Sequence, residues 1–250
     1  MELIVAGAGP AYSSRPGSVG AAYLVVEDDR AILLDLGQGA FTNVAGIIEP
    51  SRLLAVVVSH LHPDHFVDLV PLRHYLRYDF TPARRVLVIA PAGIDRRLDD
   101  LHAEPGFTAA SLNVERLTSG IHRIGPFALE ARRVTHTGDS YAFRVVPAAC
   151  PDLPGLVYSG DCGVADDLRP LVRPGDVLLA EASFGPGPVP DTGIHLDARA
   201  VGALAAATDA SRVLLTHILA RYDRDATVEA VRAEYAGPVE AVSPGDRFVV

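Results

Sequence analysis

The sequence predicts an α/β (α+β) fold of four layers, an αββα sandwich in which two β-sheets pack face to face between helices. Three observations predict this fold. Short apolar runs typical of strands alternate with helical patterns along the whole chain. The middle of the chain is rich in alternating β-formers, as antiparallel strands are. Each half supplies strands followed by helices, and two such halves bury their apolar surface best as two packed sheets.

The individual strands and helices are predicted from apolar periodicity and from the turn residues between them. We expect strands at residues 3–6, 22–27, 31–35, 54–58, 86–90, 114–117, 127–134, 141–146, 155–159, 177–181, 212–216 and 247–250. We expect helices at residues 40–48, 66–78, 94–102, 165–172, 198–208 and 226–235. Since no low-complexity linker divides the 250 residues, we expect a single domain spanning residues 1–250.

Composition and charge restrict the classes of partner. No apolar run reaches the roughly 18 residues of a membrane span, and the N-terminus lacks the basic and apolar regions of an export signal. We therefore expect a cytoplasmic protein that does not enter a membrane. The net charge of −9 argues against a long nucleic acid as partner and favours a small-molecule substrate. The only two cysteines, Cys150 and Cys162, lack zinc-type spacing, and we expect ordinary thiols.

Three histidines and one aspartate form an H-x-H-x-D-H pattern at residues 60–65, directly after a β-branched run. These residue types are metal ligands. Two-residue spacing in an extended segment returns to the same face, so His60 and His62 point to one side. Asp64 and His65 cannot both face that side, which predicts two metal ions. In the alternative, Asp64 only caps a helix and the histidines are structural, which requires four coincidences within six positions.

The pattern resembles the hallmark of the metallo-β-lactamase superfamily, whose fold is the αββα sandwich, and the resemblance covers essentially the whole chain. That superfamily has a further histidine, a bridging aspartate and a final histidine at strand ends. The residues at these positions are His136, Asp161 and His217. The resemblance implies two metal sites that share Asp161: His60, His62 and His136 hold one ion, and Asp64, His65 and His217 hold the other.

The implied cofactor is therefore a pair of divalent metal ions. Imidazole with carboxylate suits zinc, and it also suits manganese or iron, since the set contains no thiolate. Two such ions lower the pKa of a bridging water toward neutrality and generate a hydroxide nucleophile.

A finer resemblance, to the ribonuclease Z and arylsulfatase branch, rests on Glu181-Ala182-Ser183-Phe184, His195-Leu196-Asp197 and Thr216-His217-Ile218-Leu219-Ala220-Arg221-Tyr222. In that branch the histidine matching His195 is thought to protonate the leaving oxygen, supported by the glutamate matching Glu181. We expect Asp64, Glu181 and His195 to be the catalytic residues. The alternative for His195 is that it only caps a helix together with Asp197, which replaces the threonine of the family.

The N-terminal run Gly7-Ala8-Gly9-Pro10, with Ser13, Ser14 and Arg15, resembles the glycine-containing loop of the same branch. We expect Arg15 and Arg221 to contact an anionic substrate, with solvated surface arginines as the alternative. Substrate specificity is expected to lie in the loop at residues 184–194 and in the segment at residues 75–82.

The chain departs from bacterial ribonuclease Z, whose arm for gripping transfer RNA lies between the third ligand histidine and the bridging aspartate. Only 24 residues separate His136 from Asp161, which leaves no room for such an arm. We therefore expect a metal-dependent phosphodiesterase acting on a small cyclic or dinucleotide-type ester. The bridging hydroxide would attack phosphorus, and His195 would protonate the departing alkoxide.

Two alternatives remain open. One is hydrolysis of a lactone, thioester or sulfate ester by the same centre. The other is a non-catalytic or redox metal-binding protein, although every expected ligand is present. The partner predicted is a small anionic ester, and a homodimer remains open because relatives often dimerise.

Overall fold

Fourteen strands and six α-helices lie within residues 1–190 and 193–250, which are the residues that the computed structural model describes. The strands are β1 (Glu2–Gly7), β2 (Ala22–Glu27), β3 (Arg30–Leu34), β4 (Ala55–Val57), β5 (Val86–Ala90), β6 (Leu112–Arg116), β7 (Gly120–Ile124), β8 (Phe127–Arg133), β9 (Tyr141–Pro147), β10 (Leu156–Tyr158), β11 (Val177–Glu181), β12 (Arg212–Thr216), β13 (Val239–Ala241) and β14 (Arg247–Val249). The helices are α1 (Ala40–Ile47), α2 (Pro63–Phe66), α3 (Leu69–Tyr78), α4 (Ile94–His102), α5 (Ala198–Ala207) and α6 (Arg224–Arg232). Residues 191–192 of the predicted specificity loop fall outside this description.

The strands form two seven-stranded sheets. The first has the order β14-β1-β2-β3-β4-β5-β6, and the second has the order β13-β12-β11-β10-β9-β8-β7. In each sheet, three consecutive pairings are antiparallel and three are parallel. The last strand, β14, returns to pair with β1 across the register Leu3↔Phe248.

The apolar side chains alternate between two packing surfaces, as the period of two in a strand requires. In β1, Leu3 and Val5 belong to the core between the sheets, whereas Ile4 and Ala6 face the helices outside. Helices α1, α3 and α4 cover the first sheet, and α5 and α6 cover the second. The predicted αββα architecture is confirmed. None of the described helices has the length and apolar character needed to cross a membrane.

Strand direction brings one end of several strands to a shared edge of the sandwich. Strands β10, β11 and β12 are parallel. Strand β8 runs in the same direction, since β9 is antiparallel to both β8 and β10. The residues that follow β8, β10 and β12, and the last residue of β11, therefore meet at one edge.

Two helix predictions were wrong. The helix expected at residues 66–78 is two helices, α2 and α3, and the first begins at Pro63, which suits a first helical position. The chain cannot continue as one helix because the N–H of Asp68 donates to Leu36 O, while Asp64 O accepts from Ala21 N. The helix expected at residues 165–172 is only a short 3-10 turn, Ala165–Asp167, and Pro170 lacks the N–H that a longer helix needs.

Two strands, β7 and β13, were not predicted, and both lie at the edges of the second sheet. Strand β7 is largely exposed and β13 has only three residues. Neither has the buried alternation from which strands are recognised in a sequence.

Candidate metal centre and catalytic site

Seven predicted ligands converge at the shared sheet edge. Their donor atoms form two groups, each within 4.8 Å of one another. The first cluster consists of His60, His62, His136 and Asp161, and the second cluster consists of Asp64, His65, Asp161 and His217. The structure therefore brings together every residue of the predicted ligand set, in the two predicted groups.

Asp161 lies between the clusters and directs one oxygen to each. Its Oδ2 lies 3.7 Å from His60 Nε2 and 3.8 Å from His136 Nε2. Its Oδ1 lies 3.3 Å from His65 Nε2 and 3.7 Å from His217 Nε2. One carboxylate can therefore serve two cations, one on each side.

The polar atoms at the centre of these clusters fit metal ions. His60 Nε2, His65 Nε2 and Asp161 Oδ1 are buried and have no hydrogen-bond partner within the described residues. Buried polar atoms normally have a hydrogen-bond partner, so these three unpaired atoms at the two clusters indicate sites for bound cations. Imidazole nitrogens with carboxylate oxygens form a donor set for zinc, manganese or iron.

The electrostatics of the first cluster favour neutral histidines. Burial, followed by the positive charge of His65, holds the pKa of His60 well below its ordinary value. Burial and neighbouring histidines likewise lower the pKa of His62, and burial lowers that of His136. A neutral imidazole keeps the lone pair that a cation needs.

The second cluster contains two carboxylates, whereas the first contains one. Burial alone would raise the pKa of Asp161, but the charges of His217 and His65 outweigh it and hold that pKa well below its ordinary value. Burial opposes charge on His65 too, yet Asp161 and Asp35 raise the pKa of its imidazole well above its ordinary value. In Asp64, the hydrogen bond from His217 outweighs burial and lowers the pKa of the carboxyl.

Asp35, which the sequence reasoning missed, orients a predicted ligand. Its Oδ2 lies 2.7 Å from His65 Nδ1. The same carboxylate accepts from Ser59 N–H, Ser59 Oγ and the hydroxyl of Tyr158. A carboxylate only accepts, so His65 Nδ1 carries a proton, and Nε2 is the nitrogen of this ring that faces the cluster and can bind a cation. The missed signal was a charged residue placed directly after the apolar strand β3.

Two non-glycine residues at the site have left-handed backbones, with φ of 59° at Asp35 and 57° at His217. This conformation is uncommon for residues with a Cβ and is found where surrounding structure enforces it. The N–H of His217 donates to Ala8 O, which fixes the chain reversal after β12. Both orientations therefore depend on tertiary contacts.

Glycines make room for the segment that carries Asp64 and His65. A Cβ on Gly37 would overlap the carbonyl oxygen of Asp64, and Gly20 approaches the same oxygen closely. Ala21 N–H and Leu36 N–H donate to Asp64 O and His65 O, respectively. The strand-end loops of the first sheet thus hold the short helix α2 in place.

Glu181 and His195 form a hydrogen-bonded pair beside the clusters. His195 Nδ1 donates to Glu181 Oε1 at 2.9 Å and lies 3.9 Å from Asp161 Oδ2. Cys162 N–H also donates to Glu181 Oε1, at 2.9 Å. Burial lowers the pKa of His195, but the hydrogen bond and charge of Glu181 outweigh it, and the net pKa is raised. The cap of α5 is made by Asp197, which accepts from Ala200 N–H, so His195 is not needed for capping.

Ser183 connects the same carboxylate to the second cluster. Its Oγ donates to Glu181 Oε2 at 2.6 Å and lies 2.9 Å from His217 Nδ1. Since the single hydroxyl hydrogen is donated to Glu181, the oxygen accepts a hydrogen bond from His217 Nδ1–H. His217 then presents Nε2, which lies 3.0 Å from Asp64 Oδ2.

The two arginines predicted to contact substrate lie on facing loops. Arg15 donates through its NH2 group to Ala220 O and Tyr222 O. The guanidinium of Arg221 lies over the ring of Tyr222, 5.1 Å from the centroid. Contact of Arg15 or Arg221 with substrate stays a prediction. Cys162 is buried beside Asp161 and belongs to the apolar cluster under α5, which agrees with a packing role.

Sequence comparison identifies the family. A family model described as a beta-lactamase superfamily domain matches residues 30–218. The chain is 32% identical over 240 residues to an uncharacterized protein of Mycobacterium leprae, covering 93% of this chain and 83% of the relative. It is 30% identical over 185 residues to a ribonuclease Z of Anoxybacillus flavithermus, covering 71% of this chain and 55% of the enzyme.

Solved structures of other proteins have the same fold as this chain. The metallo-β-lactamase fold protein YhfI of Bacillus subtilis matches with a TM-score of 0.87 and 20% identity, over 99% of both chains. A diphosphatase from the PhnP family matches with a TM-score of 0.76 and 18% identity, over 100% of this chain and 97% of that one. The chain therefore belongs to the family of β-lactamase superfamily domains, and it has the metallo-β-lactamase fold of the metallo-hydrolases.

Proposed function

We propose that this protein is a phosphodiesterase that uses two divalent metal ions, most simply zinc, to hydrolyse a small cyclic or dinucleotide-type ester. The first and second clusters would each hold one ion, and Asp161 would belong to both ligand sets. His195 is the general acid and Glu181 is the group that positions it.

One observation carries the proposal: Asp161 directs Oδ2 to the histidines of the first cluster and Oδ1 to those of the second. A single-metal site or a structural cluster would not need a buried carboxylate divided between two donor sets. Divalent ions held there would supply an activated water as nucleophile and would polarise the ester oxygen.

The chain's own residues account for proton transfer to the leaving group. Glu181 occupies His195 Nδ1, so a protonated His195 has only Nε2–H left to donate. The raised pKa of His195 favours the protonated imidazole that can donate this proton. The buried Glu181 is itself fixed by hydrogen bonds from Cys162 N and Ser183 N, so the imidazole cannot turn freely.

The comparisons support phosphoester chemistry, since the relatives include a ribonuclease Z and the structural neighbours include a diphosphatase. The short connection between β9 and β10 supports a small substrate. It comprises only residues 148–155, and the carbonyl of Leu153 accepts from the Arg144 guanidinium, so no protruding arm is formed there.

The test is a substrate panel with protein whose metal content has been measured. We expect about two divalent ions per chain, hydrolysis of small phosphodiesters, and a loss of roughly 10²–10⁴-fold in kcat for His195→Ala with the metal content retained. Arg123→Gln, an exposed change on β7, is the matched control. Hydrolysis of lactones, thioesters or sulfate esters without phosphodiester cleavage would overturn the proposal, as would two tightly held iron ions with no hydrolysis.

A further inference from the structure

A polar pocket adjoins the chain reversal at His217. It has a volume of about 230 Å³ and opens between the N-terminal loop, the start of α6 and the segment before β14. Two arginines, Arg15 and Arg224, line it together with the three serines Ser13, Ser18 and Ser243. We call it the Arg15–Arg224 pocket.

Each of the two guanidinium groups is held by hydrogen bonds from only one of its nitrogens, the NH2 group. The NH2 group of Arg15 donates to two carbonyls of the 220–222 loop, at 3.0 and 2.8 Å. The NH2 group of Arg224 donates to Ala241 O and Val242 O, each at 2.7 Å, and to Ser243 Oγ at 3.2 Å. Within the described part of the chain, their remaining N–H groups have no hydrogen-bond partner, so both side chains are oriented and still have donors to offer.

The charges of these arginines are not neutralised locally. Neither guanidinium lies within 4.0 Å of a carboxylate of the described residues, although the protein carries a net charge of −9. None of the described residues that line the pocket is acidic. Burial, followed by the charge of Arg15, lowers the pKa of Arg224, and Asp246 and Asp225 oppose this from outside the lining. Two like charges facing one cavity are unfavourable unless an anion enters it.

The position of the pocket links it to the candidate catalytic site. Its wall includes Ala8, whose carbonyl accepts from His217 N–H, and Ile218, which follows His217 in the chain. The pocket is therefore built on the same chain reversal that positions a predicted metal ligand.

We propose that the Arg15–Arg224 pocket binds a phosphate or phosphate-ester group other than the one that is cleaved. Paired arginines present fork-shaped donors that match phosphate oxygens, and serine hydroxyls and backbone N–H groups complete such a site. The anion is either a second phosphate of the substrate or free phosphate. The first source rests on the proposed function, whereas the site itself does not.

Binding of inorganic phosphate to the metal-free protein tests the site without catalysis. Calorimetry at low salt, with ¹⁵N NMR of arginine Nε, should show saturable binding that shifts the resonances of Arg15 and Arg224. Arg15→Gln and Arg224→Gln should each weaken binding roughly tenfold or more. Arg123→Gln, which also removes one exposed charge, should not.

Two results would overturn the site. One is the absence of saturable binding by the wild type up to about 10 mM phosphate. The other is equal affinity in the wild type, Arg15→Gln and Arg123→Gln. Because Arg224 also binds two carbonyls, loss of folding in Arg224→Gln is possible, and the exposed Arg15 then provides the decisive variant.

Kinetics of the metal-loaded protein distinguish the two sources. If the anion belongs to the substrate, Arg15→Gln raises KM for a phosphodiester that carries a terminal phosphate and leaves KM for its dephosphorylated counterpart unchanged. If it is free phosphate, neither KM changes and phosphate binding persists in the presence of substrate. An equal rise in KM for both substrates would show a structural role and contradict the proposal. Absence of any phosphodiester hydrolysis, with arginine-dependent phosphate binding intact, would refute only the proposed function.

Discussion

The carboxylate of Asp35 lies 2.7 Å from Nδ1 of His65, while Nε2 of the same ring lies 3.3 Å from Asp161. One imidazole thus connects a buried orienting acid to the predicted bridging acid. Asp35 also accepts from Ser59 and Tyr158, so hydrogen bonds from the protein hold its carboxylate in this orientation.

Asp35→Asn should weaken metal binding by the second cluster about 10- to 100-fold, because the amide no longer enforces the Nδ1–H tautomer of His65. The measurement is metal affinity by competition with a chelator, with circular dichroism as a check on folding. Asp166→Asn, at an exposed acid on the 3-10 turn, is the control. Unchanged affinity in a folded Asp35→Asn protein would contradict the orienting role.

Ser183→Ala should also weaken metal binding, by roughly tenfold, since it removes the acceptor for His217 Nδ1 and one donor to Glu181. Ser183→Thr keeps the hydroxyl and should restore affinity. A purely steric role would reverse this order, with alanine tolerated better than the larger threonine.

Glu181→Gln should shift the alkaline limb of the pH–rate profile to lower pH. The hydrogen bond and charge of Glu181 raise the pKa of His195, so removing the charge lowers that pKa. The protonated acid is then lost at a lower pH, and kcat falls earlier as pH rises. The measurement is kcat against pH for both proteins, and an alkaline limb at the same pH would argue against His195 as the acid.

The ion pair between Arg144 and Asp176 should contribute to stability independently of the site. Both side chains are buried, and Asp176 accepts from Arg144 Nε and NH2 at 2.8 and 2.9 Å and from Gly155 N. Asp176→Ala leaves a buried cation unpaired and should lower the free energy of unfolding by about 3–5 kcal/mol.

Urea denaturation measures this loss. Glu229→Ala breaks the exposed pair with Arg232 and should cost at most about 1 kcal/mol, which makes it the matched control. Similar losses in Asp176→Ala and Glu229→Ala would mean that the buried pair is not structural.

Sequence reasoning was most successful where local pattern and chain direction decide the outcome. The family resemblance carried by the H-x-H-x-D-H run implied the ligand set that includes His136, Asp161 and His217, and each of these three residues follows a strand. Strands that end at one sheet edge bring such residues together. The apolar alternation of strands such as β1 likewise predicted the layers, since a period of two assigns each side chain to one face.

Sequence reasoning was least successful where the chain depends on distant partners. The break between α2 and α3 follows from hydrogen bonds to Leu36 and Ala21 in other loops. The edge strands β7 and β13 form by pairing with neighbours, with little apolar signal of their own.

The sequence by itself determined the residues that can bind metal, because residue type and strand-end position are local properties. Only the tertiary structure decided which carboxylate orients each ring, which oxygen of Asp161 faces each cluster, and that Arg15 meets Arg224 across one pocket. The reason is physical: side-chain hydrogen bonds and left-handed backbones such as those of Asp35 and His217 are fixed by packing between segments far apart in the chain.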